Sequence, residues 1–307
     1  MPRKDGLETL QELLARYPVP VIMVSSLTQL GADATFKALD YGALDYIAKP
    51  QGGMPDKAAF GNELVRKIRS VAGSGVRRIL KIRRDRTERK MQRGKVAQPK
   101  ETAADLNHLA DKCVTIGTST GGPPALTSLF ESIHGPVPPI VVVQHMPGTF
   151  TKPFAWRLNS ISSLSIKEAE TGDVLKPDHV YIAPGGQHLE LVKRGHQVRC
   201  KVRDGDSVSG HKPSADVMMQ SAARIYGDKC LGAIMTGMGR DRADGCQAIR
   251  TAGGYVLGQD EASSDVYGMN KVAFVEGHVD RQFNLDEAAG TFMNQVKRLW
   301  GSAKVSV

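Results

Sequence analysis

The segment that most constrains this chain is Cys113-Val114-Thr115-Ile116, followed by Gly117-Thr118-Ser119-Thr120-Gly121-Gly122 and by Ala125-Leu126 and Leu129-Phe130 at helical spacing. It reads as a strand, a tight glycine turn carrying a serine, and a helix. That order sets a hydroxyl at a sheet edge, beside the backbone N–H groups of a helix N-terminus. Such N–H groups stabilise an oxyanion, so the turn suits acyl transfer. A structural or phosphate-binding turn has the same glycines, and the motif alone does not choose between them.

A serine hydroxyl is a poor nucleophile near neutral pH and needs a base, usually a histidine held by a carboxylate. Pro139-Ile140-Val141-Val142-Val143-Gln144 is a β-branched run of the kind buried on both faces of a parallel sheet, and it ends at His145, before Met146-Pro147-Gly148. Leu231-Gly232-Ala233-Ile234-Met235 is another such run, ending in Thr236-Gly237-Met238-Gly239-Arg240-Asp241. Ser119, His145 and Asp241 each fall just past the carboxyl end of an expected parallel strand, where sites gather in open α/β sheets. Taken singly, His145 is a loop histidine and Asp241 a helix N-cap. Together they favour a triad. The pattern predicts an α/β fold over about residues 107–301, a doubly wound, mostly parallel sheet with helices on both faces.

The segments IGTSTGGPPAL, VVVQHMPGTFT, GDVLKPDHVYIAPGGQHLEL, HKPSADVMMQS, GAIMTGMGRD and GQDEASSDVYGM, in this order from about Val114 to about Leu285, resemble the catalytic domain of the chemotaxis response-regulator methylesterases, the CheB family. The resemblance implies Ser119 as nucleophile, His145 as general base and acid, and Asp241 as the group that orients the imidazole. It implies an oxyanion hole from the backbone N–H groups of Thr120 and Met238. The implied substrate is the glutamyl methyl ester on cytoplasmic chemoreceptor helices, hydrolysed to glutamate and methanol, with deamidation of receptor glutamines at the same site. The order Ser, His, Asp sets the chain apart from the α/β-hydrolases, whose acid precedes the histidine. One departure is Arg242, where the family has a small residue. Its guanidinium can pair with Asp241 or point outward to an acidic substrate. Asp244 is the fallback orienter.

The first fifty residues resemble the second half of a two-component receiver domain, a flavodoxin-like α/β fold. Met1 to Leu7 resembles the turn after the phospho-acceptor strand. Leu7, Leu10, Leu13 and Leu14 give a helical stripe, Val19–Ser25 reads as a buried strand, Ala34–Tyr41 as a helix and Ala43–Ala48 as a strand. The resemblance makes Ser25 and Lys49 phosphoryl-contact remnants, with Lys49-Pro50 often cis in receivers. The phospho-acceptor aspartate is absent from this chain. Residues 1–72 are thus expected to be a partial receiver, either begun at an internal methionine or truncated and poorly ordered, since half a receiver buries little surface. In the family an unphosphorylated receiver covers the cleft. Without the acceptor, no phosphorylation switch is expected, and activity is constitutive if the fragment lies away from the site. A pathway histidine kinase is a partner only of a complete receiver.

Asp56–Val71 is expected to close the receiver as a helix with Leu64, Val65 and Ile68 on its apolar side. The basic stretch that follows, residues 73–106, includes Arg77, Arg78, Lys81, Arg83, Arg84 and Arg86 and contributes substantially to the net charge of +9. It reads as a solvated, partly helical linker kept extended by like-charge repulsion, rather than as a nucleic-acid or membrane contact. Attraction to acidic receptor helices is a middle reading. Absence of a signal peptide or long apolar run points to the cytoplasm. Cys113, Cys200, Cys230 and Cys246 lack metal or disulfide spacing, and no metal or cofactor is expected. His188 reads as structural, Ser214 or Asp216 as the cap of a helix from Val217, and His211 only weakly as a substrate-positioning residue. The competing functions are a receiver-linked nucleic-acid regulator, an idle scaffold and a small-molecule esterase.

Overall fold

The computed structural model describes residues 4–26, 28–50, 54–93, 107–239 and 243–301. Its N-terminal layer contains α1 (Gly6–Arg16), β1 (Ile22–Ser25), α2 (Gln29–Asp40), β2 (Asp45–Ala48), α3 (Met54–Val71) and α4 (Val76–Arg93). Asp5 starts α1 with a capping box: its carboxylate accepts from Glu8 N at 2.8 Å, and the Glu8 carboxylate accepts from Asp5 N. Leu10 and Leu14, one turn apart, are the residues α1 buries.

The larger unit begins with β3 (Cys113–Thr118), α5 (Gly122–Ser132), β4 (Ile140–Gln144), α6 (Gly148–Ile161), β5 (Ser165–Glu168) and β6 (His179–Ile182). An antiparallel hairpin, β7 (His188–Arg194) and β8 (Gln197–Arg203), follows. The chain then continues through α7 (Ala215–Tyr226), β9 (Cys230–Ile234), α8 (Ala243–Thr251), β10 (Tyr255–Gln259), α9 (Met269–Val275), β11 (Arg281–Phe283) and α10 (Ala288–Trp300). Seven strands form one sheet in the order β11-β10-β9-β3-β4-β6-β5, with every pairing parallel. All residues of β3, β4 and β9 are buried, as the continuous apolar runs require.

Alternation along the strands divides the core between the two faces of the sheet. Val114, Ile116, Ile140 and Val142 meet Leu126, Phe130, Phe150, Phe154 and Phe292 of α5, α6 and α10. Cys113, Val141 and Val143 meet Met218, Met219, Ile249 and Met269 of α7, α8 and α9. This is the expected doubly wound α/β architecture. The chain leaves the central strand β3 toward β4 and later returns to β9 on its other side. The point where the strand order reverses therefore lies between β3 and β9, the usual crevice of such sheets.

The N-terminal layer does not stand alone. Its Leu10, Leu14, Phe36 and Leu44 belong to the same apolar core as Phe150 and Phe154. The Phe36 ring lies 5.3 Å from that of Phe154, and the Tyr46 ring 4.9 Å from that of Phe150. Packing on α6 supplies apolar burial that two paired strands lack. Three local expectations are corrected. β1 pairs only with β2 among the described residues, which leaves Val24 47 % exposed instead of buried. Val65 and Ile68 of α3 are also exposed, because the helix turns its polar side toward the larger unit. Lys49-Pro50 is not among the cis bonds of the described residues, which are Gly135-Pro136 and Lys212-Pro213.

Nor is the basic stretch an extended, solvated spacer where it is described. In α4, Val76 and Ile79 are buried, and three of its arginines, Arg78, Arg83 and Arg86, are taken up by specific acceptors. Arg78 donates to the carbonyls of Glu261, Ala262 and Ser264 at 3.0, 3.1 and 3.2 Å. Arg86 donates to the Asp286 carboxylate at 2.5 Å. Arg83 joins the two units: Nη1 donates to Leu39 O at 2.7 Å, and Nη2 pairs with the Asp265 carboxylate. Both Arg83 and Asp265 are largely buried, with side chains 12 % and 13 % exposed. Removing one partner of such a pair strands a charge. Arg83→Ala is expected to lower stability in urea unfolding by about 3 kcal/mol. Arg83→Lys should recover only part, since it lacks the two-sided fork; an unchanged midpoint in the alanine variant would contradict the bridging role.

Candidate active site

The carboxyl edge of β3, β4 and β9 brings three turns together. Register pairs Thr118 with Gln144 and Gly117 with Ile234, so Ser119, His145 and the Thr236–Met238 turn leave the sheet side by side. Ser119 N donates to Thr236 O at 3.1 Å and His145 N to Thr118 O at 3.2 Å, which extends the ladder by one step past the strands. Gly121 takes a left-handed φ of +78° to turn the chain into α5. Gly237, at φ +155°, must be glycine for a second reason: a Cβ there would lie 2.6 Å from the Ser119 Cβ.

A cavity of about 310 Å³ lies over this edge. Ser119, Thr120, His145, Met146, His211 and Met238 line it, so the expected nucleophile, base and oxyanion-hole residues share one space. Among the described residues no acceptor takes the N–H of Thr120 or Met238. Asp241 and Arg242 lie outside the described residues. Asp244 is exposed in the first turn of α8, where it complements the helix dipole, and it does not line the cavity.

Two supports went unread in the sequence. Gln144 is 2 % exposed; its Oε1 accepts from Thr118 Oγ1 at 2.7 Å, while Nε2 donates to Ser119 O at 3.1 Å and to His145 O at 3.0 Å. One amide thus ties the serine turn to the histidine. Thr236 does the same on the other flank, its hydroxyl donating to Thr120 O at 3.0 Å and accepting from Val266 N at 3.0 Å. Both sit at strand ends, where sequence shows only the last polar residue of an apolar run.

His211, weakly marked in the sequence, stacks on His145 with ring centroids 3.8 Å apart and planes 14° from parallel. Its Nδ1 lies 2.9 Å from Ser209 O, a carbonyl that can only accept, so Nδ1 carries the proton. Its Nε2 then accepts from Arg66 Nη1 at 2.5 Å. His188 is fully buried between Asp206 O and Ser214 N, which makes it structural. Ser214, not Asp216, caps α7, accepting from Val217 N.

The cavity is roofed by the N-terminal layer. Glu63, Arg66, Lys67 and Ser70 of α3 line it, and Asp45 of β2 accepts from the Thr120 hydroxyl at 2.6 Å and from Lys67 Nζ at 2.8 Å. The fragment therefore borders the cleft on one side instead of lying away from it. Ser25 and Lys49 lie apart from this site, at the carboxyl ends of β1 and β2; Ser25 Oγ donates to Gly31 O at 3.0 Å, and Lys49 is exposed.

The cysteines take no part. All four are buried, and burial pushes the Cys200 and Cys230 thiols up to about 12. Among the described residues no three His, Cys, Asp or Glu side chains gather as a metal-binding group.

Gln144→Leu is expected to remove the acceptor at the Thr118 hydroxyl and one donor each to the Ser119 and His145 carbonyls, costing about 2 kcal/mol in thermal unfolding. Misplacing the serine and histidine turns should slow hydrolysis of an activated ester by about tenfold or more. Unchanged rate and stability together would exclude this support.

A profile of the CheB methylesterase family matches residues 114–292. A protein-glutamate methylesterase/protein-glutamine glutaminase of Pectobacterium atrosepticum is 38% identical over 297 residues, covering 96% of this chain and 81% of the relative. Its counterpart in Pyrococcus horikoshii is 40% identical over 307 residues, covering 99% and 81%. The crystal structure of the Thermotoga maritima CheB methylesterase catalytic domain superimposes with a TM-score of 0.59 at 39% identity, covering 60% of this chain and 98% of that domain. The match begins one residue into β3 and takes in the whole sheet edge described above, and with it the chain belongs to the CheB methylesterase family.

Proposed function

We propose that this chain hydrolyses glutamyl methyl esters of chemoreceptors through Ser119, activated by His145. The chain is a protein-glutamate methylesterase, a carboxylic ester hydrolase that also acts on receptor glutamines. The observation that carries the residue assignment is the convergence of Ser119, His145, Thr120 and Met238 on one cavity at the reversal point of a parallel sheet.

In this reading His145 takes the Ser119 proton as Oγ attacks the ester carbonyl. The carbonyl oxygen becomes an oxyanion, received by the N–H groups of Thr120 and Met238. Collapse breaks the bond to the methoxy oxygen, and the imidazolium returns its proton so that methanol leaves. Water, deprotonated by His145, then attacks the acyl-serine to release glutamate and free Ser119. A glutamine side chain follows the same path with ammonia as the leaving group. Asp241, by its place in the family motif, orients His145. The stacked His211 limits the ring's freedom from the other side.

We assign residues 1–72 to part of a receiver, 73–106 to the basic linker and 107–301 to the catalytic domain. Ser25 and Lys49 would then be the remnants of a phosphoryl site, and a pathway histidine kinase the partner of the complete receiver. The substrate helices lie on the cytoplasmic side of the membrane, which makes the cytoplasm the place of action. Among the described residues no helix is long and apolar enough to cross a membrane.

Methanol release from membranes carrying methylated receptors tests the reading. Ser119→Ala is expected to reduce release by about 10³-fold or more. Equal release from both forms would show that another group is the nucleophile, and no release from either would favour a scaffold.

A further inference from the structure

Helix α6 starts at the lip of the cavity, since His145, Met146, Pro147 and Gly148 all line it. One side of the helix is occupied: Phe150 and Phe154 are buried against Phe36, and Arg157 pairs with Asp40 of α2 at 2.6 Å. The opposite side holds Thr149, Lys152, Trp156 and Ser160, all exposed. Trp156 is 54 % exposed, although an indole usually hides most of its apolar area, and Lys152 Nζ sits 5.5 Å from its ring centroid. The whole of α6, GTFTKPFAWRLNSI, contains lysine and arginine and no carboxylate.

We propose that this face of α6, centred on Lys152 and Trp156, is the dock for the acidic receptor helix whose ester side chain enters the cleft. The inference rests on the methylesterase reading above. The charge is complementary: the partner presents glutamates, and this face of α6 answers with Lys152 and no carboxylate. The shape is suitable as well. Trp156 lies two turns beyond Gly148, about 12 Å along the axis, so a helix laid along α6 brings carboxylates one and two turns from the reacting residue to Lys152 and Trp156. A Trp beside a cation supplies a large rigid contact with little rotamer entropy to lose, the usual make-up of an interface anchor. The face is clear of α3, so docking does not require the roof to move first.

The test compares the full chain with Trp156→Ala and Lys152→Glu, using methylated receptor in lipid vesicles and, separately, p-nitrophenyl acetate. KM for receptor is expected to rise about tenfold or more in each variant, with kcat within about twofold. Hydrolysis of the small ester should not change. Trp156→Phe and Lys152→Arg should recover most of the affinity. Binding is read independently of turnover by co-sedimentation with the receptor vesicles in a Ser119→Ala background, where Trp156→Ala should weaken receptor binding by the same factor. Unchanged KM and binding would overturn the dock, as would a parallel loss of small-ester hydrolysis or equal binding to receptor-free vesicles of the same anionic lipid. If the unsubstituted chain hydrolyses neither ester, the methylesterase reading fails, and the binding measurement still decides the dock.

Discussion

Everything in this molecule depends on the parallel pairing of β3 between β4 and β9. Because all three strands are buried on both faces, side chains that must reach solvent or a substrate emerge past their ends. Register then determines which residues emerge together: Ser119 beside His145 on one flank and beside Thr236 to Met238 on the other. Gln144 and Thr236 convert that proximity into fixed geometry by bonding the turns to each other through their backbone carbonyls. A one-residue slip of either pairing would break these bonds and turn apolar side chains to the wrong layer.

That dependence explains what was legible in the sequence. The strand runs, the glycine turn and the places of Ser119 and His145 follow from apolar periodicity and from punctuation by Gly and Pro, so the sheet and its reactive edge could be read directly. Gln144 could not, since nothing local distinguishes a terminal glutamine that bonds two turns from one that meets water. His211 lay hidden for a similar reason: its stacking on His145 arises from the loop between β8 and α7 folding back across the edge. Exposure of Val24, Val65 and Ile68 ran against local patterning because it depends on which partners a strand or helix has, not on its own residues.

The basic stretch shows the same limit at larger scale. Composition made it look like a chain repelled from itself. Arg78, Arg83 and Arg86 instead find carbonyls and carboxylates on the loop after β10 and at Asp286, with Arg83 also holding Leu39 O and Ala43 O. Charge that would drive extension in isolation becomes adhesive when acceptors are arranged to receive it. The consequence reaches the site, because α4 holds in place the layer whose Arg66 and Asp45 contact His211 and Thr120.

Covalent trapping tests the assignment of the site most directly. The intact chain would be treated with a small organophosphorus fluoride and its peptides weighed by mass spectrometry. A single adduct on the peptide containing Ser119, formed much more slowly in His145→Gln, is the predicted result. An adduct on another hydroxyl, or labelling of Ser119 at the same rate without the histidine, would contradict it.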